Sequence, residues 1–94
     1  MEWYRIFLEL NVIEIEHMIR NGFNVNIRDA ETNTTPLHVV AAAPEPKLKD
    51  ALYVANLLIK NGSDVNLKDL KNRLPLHYAI IHGNYEIADL LIQN

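Results

Sequence analysis

Three stretches of this 94-residue chain share one alternation of apolar and polar positions. EIEHMIR at 14–20, VANLLIK at 54–60 and EIADLLIQN at 86–94 each set apolar residues three and four apart, the spacing of a single helix face. The second pattern reaches further back. Leu48, Ala51, Leu52, Ala55, Leu58 and Ile59 keep the helical period, which predicts a longer helix there. Shorter apolar runs follow TPLH at 35–38 and LPLH at 74–77. The opening residues Trp3, Tyr4, Ile6, Phe7, Leu8 and Leu10 read as a first helix that packs its apolar side over the next unit.

The punctuation between these helices also recurs. NGFNVNIRD at 21–29 returns as NGSDVNLKD at 61–69, and TPLH returns as LPLH. Thr35 is a good N-cap, and Pro36 at the first helical position gives up only an N–H that has no helical partner. His38 falls at the third helical position, within reach of the cap. Pro75 and His77 repeat the arrangement, but Leu74 replaces the capping Thr, at about 1 kcal/mol of local stability. Gly22 and Gly62 end the longer helices in the left-handed conformation, Gly83 ends a short one, and Asn84 is expected to cap the helix after it. Pro44 and Pro46 stop the middle short helix. APEPKLKD at 43–50 therefore holds about six residues more than the matching connection near Gly83, and a protruding loop near 42–50 is expected. The units read as 1–28, 29–68 and 69–94 of one domain. Each is a short helix, a tight loop and a longer helix, joined to the next by a hairpin-like finger.

TTPLHVVAA, LPLHYAIIHGNYEIADLLIQN and NGSDVNLKD resemble the ankyrin repeat, from about residue 11 to the end, with 1–10 as a degenerate first helix. Val40 departs from the small residue usual at its position. The resemblance implies an all-α stack of helix-turn-helix repeats, an α-solenoid, whose fingers and exposed short-helix sides contact a partner protein. Carried onto this chain, those positions are Ala30, Glu31 and Thr34 in the first finger and Lys68, Leu70, Lys71 and Arg73 in the second. Ala42, Ala43, Ile81 and His82 come from the short helices. His38 and His77 take the family's structural histidine position, where a buried or half-buried ring ties the helix start to the adjoining turn.

Composition narrows the chemistry. The chain is 49% hydrophobic and 22% charged, with a net charge of −3. Acidic and basic residues are spread evenly, so no basic stripe is present to neutralise phosphates, and nucleic acid is not an expected partner. No apolar run approaches the roughly 20 residues that cross a bilayer, and no membrane partner is expected. With no cysteine there is neither a disulfide framework nor a thiolate nucleophile. That fits an intracellular, cytoplasmic setting. The four histidines do not cluster: His77 and His82 are five apart and turn to different faces, while Glu14 and His17 form only a surface pair. No catalytic residue, cofactor or metal is expected.

The alignment also predicts an apolar end. Val12, Leu52 and Tyr85 correspond, as do Ile19, Ile59 and Ile92. Tyr85 and Ile92 share a face of the last helix and remain apolar where a terminal unit ordinarily turns polar. Ile81 is expected to join them in a patch for self-association or docking. The function expected is a non-enzymatic interaction module, an adaptor or inhibitor presenting a rigid surface. Two variants stand beside it: a dedicated immunity-type inhibitor of a toxin or enzyme, and a module that self-associates through its C-terminal end.

Overall fold

Six helices, paired in order, make up the computed structural model, which describes residues 2–94. They are α1 (Glu2–Leu8), α2 (Val12–Arg20), α3 (Pro36–Ala41), α4 (Leu48–Lys60), α5 (Pro75–Ile81) and α6 (Tyr85–Ile92). No strand occurs among the described residues. The short helices α1, α3 and α5 stack in one layer and the longer α2, α4 and α6 in a second. Each short helix packs on its partner, and each pair leans on the next. Phe7, Ile15, Leu37, Val40, Val54, Leu58 and Ile87 are sealed between the layers. Burying such side chains is worth about 1.5–3 kcal/mol each and drives the stacking.

The helix ends follow the local chemistry. Thr35 has extended backbone and its hydroxyl accepts the His38 N–H at 3.4 Å, while the Thr35 N–H donates to His38 Nδ1 at 3.0 Å. At Leu74 half of that box survives. The Leu74 N–H donates to His77 Nδ1 at 2.8 Å, and the His77 N–H falls back on the Leu74 carbonyl. At Gly62 the chain turns left-handed (φ 98°), and the Gly62 and Ser63 N–H groups close onto the Ile59 and Leu58 carbonyls. Leu10 takes the same turn after α1 at φ 53°, with a side chain that must tolerate it.

Two expectations are corrected. Asn84 occupies the N-cap position of α6 but makes no side-chain cap. It is buried, and its amide donates to the Ala41 and Ala43 carbonyls at 2.8 and 3.0 Å, closing the open end of α3. The extra residues after Ala43 form an exposed 3₁₀ turn, Glu45–Lys47, and four more residues at the start of α4. Rather than standing free, this turn is tied back by Lys47 Nζ, which donates to the Glu9 carbonyl at 3.1 Å.

The fingers are tight turns rather than strands. The Asp29 N–H donates to the Thr34 carbonyl at 2.8 Å and the Asp69 N–H to the Arg73 carbonyl at 3.0 Å. Asn33 and Asn72 supply the left-handed residue (φ 60° in both), a conformation Asn tolerates better than most side chains. Neighbouring fingers are cross-linked. The Leu70 N–H donates to the Thr32 carbonyl at 3.0 Å, and the Arg28 guanidinium to the Lys68 carbonyl at 2.7 Å.

Candidate functional site

The short helices share one accessible position. Leu8, Ala42 and Ile81 are equivalent residues near the ends of α1, α3 and α5, and they form a row across the stack. Leu8 is 57% and Ile81 69% exposed. Beside the row lies a groove of about 100 Å³, lined by Tyr4, Leu8, Val39, Ala42, Pro44 and Tyr78 among others. Aromatic and aliphatic walls with a few polar atoms suit the apolar side of another macromolecule.

Tyr78 is fixed by three contacts. Its hydroxyl donates to Asp69, its ring meets His38 edge-on at 5.3 Å, and the Arg73 guanidinium sits 4.9 Å above it. Asp69 is buried, which raises its pKa. The Tyr78 hydroxyl, the Arg73 and Lys71 N–H groups and the Arg73 side chain more than reverse that, leaving it at about 2. Burial and the adjoining carboxylate push the Tyr78 phenol up to about 12. His38 is buried, and desolvation lowers its pKa. Because Nδ1 accepts the Thr35 N–H, the ring proton sits on Nε2 and is donated to the Arg73 carbonyl at 2.9 Å. The second finger is thus held to α3 by a neutral histidine, and to itself and α5 by a charged carboxylate. In the first finger, the Thr32 N–H leads the groups that lower the Asp29 pKa, and burial opposes them.

Of the partner-contact positions named from sequence, Ala30, Glu31, Lys68, Leu70, Lys71, Ile81 and His82 are exposed. Thr34 is not. It is 6% exposed, turned under the first finger against the Thr32 hydroxyl. Ala43 is buried as well, Ala42 is half-buried, and Arg73 is half-buried with its Nε committed to Asp69 at 3.3 Å. His38 and His77 differ: His77 is exposed, because no helix pair among the described residues lies against it. Tyr85 and Ile92 are 69% and 67% exposed. Ile81 belongs to the row on the short-helix face, and the residue that joins the end face is Ile80, 52% exposed. Its equivalents Phe7 and Ala41 are fully buried. Sequence reasoning also missed Tyr78, whose signal was an aromatic beside the structural histidine, at the position Val39 holds in the preceding unit.

The family model for ankyrin repeats matches residues 10–94 in three copies. The chain belongs to the ankyrin repeat family. Its relatives include human Rabankyrin-5, 33% identical over 81 residues, and an ankyrin repeat protein of fowlpox virus, 32% identical over 76. Mouse protein phosphatase 1 regulatory subunit 12A is 37% identical over 76. Each match covers 81% of this chain but only 7%, 11% and 7% of the respective relative. The chain thus spans a small part of the length of the curated relatives it matches. Ankyrin repeats are a general protein–protein interaction module, and the accessible row runs across all three repeats of this one. No group of three or more His, Asp or Glu residues is placed to hold a metal ion among the described residues. No described helix is long and apolar enough to cross a membrane.

Proposed function

We propose that this ankyrin repeat chain acts without catalysis, as an adaptor or inhibitor that seats a partner protein on its short-helix face and fingertips. The row Leu8–Ala42–Ile81 beside the Tyr4–Tyr78 groove carries the reading, since Leu8 and Ile81 are large apolar side chains exposed at equivalent positions of α1 and α5. Exposed Glu31 on the first finger and exposed Lys68 and Lys71 on the second give the neighbouring fingertips opposite charge. Hydrogen bonds fix both fingers beforehand, so little ordering entropy is lost on binding. A relative named as a regulatory subunit of protein phosphatase 1 supports the adaptor or inhibitor class.

The test begins with affinity capture from host cells, followed by titration of the captured protein against the purified chain. Leu8→Glu with Ile81→Glu should weaken binding at least a hundredfold while leaving the helical circular dichroism unchanged. Lys71→Glu should weaken it several-fold at low salt, and less at high salt. Undiminished affinity in the double variant would place the binding surface elsewhere.

A further inference from the structure

The two junctions differ where a short helix faces the finger that leads to the next one. At the second, the buried ring of His38 spans from α3 to the finger, and its Nε2 donates to the Arg73 carbonyl at 2.9 Å. Tyr4 holds the equivalent position on α1, is only half-buried, and leaves a space of about 350 Å³ between α1 and the first finger. Tyr4, Arg5 and Leu8 wall that space on one side and Asp29, Glu31 and Thr32 on the other. Tyr4 and Leu8 also wall the apolar groove that runs to Tyr78, so the two hollows adjoin. The groove draws its walls from all three short helices, which puts both hollows on the flank of the stack and not at its ends.

Charge and proton placement select the guest. Arg5 is ion-paired with Glu2 and Glu9 of its own helix region, whereas Glu31 has no ion-pair partner among the described residues. The hydroxyl protons of the finger are spent as well. The Thr32 hydroxyl donates to Asp29 at 2.9 Å, and a hydroxyl has one proton, so the Thr34 hydroxyl must donate to Thr32, also 2.9 Å away. The same carboxylate accepts the Glu31 and Thr32 N–H groups. The finger side chains that line the two hollows therefore offer acceptors and negative charge, and no hydroxyl proton.

We propose that the partner protein is recognised here through a basic side chain, Arg above Lys, that lies against Tyr4 and pairs with Glu31, next to a large aliphatic side chain seated in the groove. This recognition rests on the short-helix face being the binding surface and adds what that surface selects. A guanidinium fits because it carries only donors, stacks on aromatic rings and forks onto a carboxylate. Since the hollows share Tyr4 and Leu8, both side chains come from one short segment of the partner.

The probe is a phage-displayed library of random peptides of about twelve residues, panned on the immobilised chain. Selected peptides should carry Arg, and less often Lys, within about four residues of a Leu, Ile or Met, the reach of one helix turn. Titrated as synthetic peptides, they should lose roughly tenfold in affinity when that basic residue becomes Ala, and as much against Glu31→Lys. Changing the basic residue to Glu should reverse the preference, so that Glu31→Lys binds the peptide more tightly than the unaltered chain does. Glu31 is an exposed fingertip residue, and its variant should keep the helical circular dichroism. Peptides without a basic residue, or indifferent to Glu31→Lys while lost with Leu8→Glu, would overturn the proposal and leave the binding face standing. Peptides indifferent to Leu8→Glu would remove the face as their seat, and the proposal with it. A library that enriches nothing would overturn the proposal alone, since titration of the captured protein tests the face separately.

Discussion

Individual side chains carry unequal shares of the stability. Asp69 is the clearest case, because four donors converge on a buried carboxylate and outweigh the effect of burial, holding its pKa at about 2, below the ordinary 3.8. A carboxyl whose folded pKa is depressed contributes stability above its unfolded value and loses it as pH falls toward the folded one. Asp69 therefore contributes about 2 kcal/mol above pH 4, most of it gone by pH 2. Buried neutral His38 acts in the same direction at higher pH. Its lowered pKa means that stability present above pH 6.5 declines as the medium acidifies. Urea titrations across this range should show Asp69→Asn less stable by about 2 kcal/mol at pH 7 and flatter between pH 4 and 2. Leu74→Thr should work the other way. Leu74 already has the extended backbone of Thr35, and a hydroxyl there could accept the His77 N–H, adding about 0.5–1 kcal/mol in the same assay.

At the scale of helices and turns, most of the architecture could be read from the chain. The apolar period, the Thr-Pro-Leu-His start and the Asn-Gly stop are local signals, and each acts within one turn of helix. Asn84 marks the limit of that reading. Its place before α6 suggested a cap, yet its amide crosses to the carbonyls at the end of α3, 41 to 43 residues away. Nothing local marks such a partner. Thr34 failed for a related reason: its place in a finger implied exposure, but the left-handed Asn33 folds it beneath the turn. Asn84→Ala would leave two buried carbonyls without a donor, at about 2 kcal/mol, which corresponds to a fall in Tm of roughly 10 °C in a thermal melt. Gly83→Ala should cost about 1 kcal/mol although its added methyl would touch nothing, because the backbone there is left-handed at φ 72°.

For the whole molecule, the stacking sequence decides what is rigid. Each pair touches only its neighbours, so stability is shared through two junctions. His38 bridges the second junction to the Arg73 carbonyl, and Asp69 braces the finger that carries that carbonyl. Loosening in acid should therefore begin between the middle and last repeats, visible as early loss of amide protection in α5 and α6 by hydrogen exchange at pH 3 relative to pH 7. The binding face was only partly legible at this scale. The family pattern pointed to fingers and short helices, whereas the groove walls Tyr4 and Tyr78 come from units 74 positions apart and meet only once the stack is assembled.

The unequal ends also give the molecule a direction for engineering. An added helix pair with a Val or Ile at the position of Ile87 would find a ready seat on Ile80, Tyr85 and Ile92, and the lengthened protein should melt higher. Grafting the same pair ahead of Trp3 would first require Glu14 to be replaced. Growth of this scaffold is favoured from its tail.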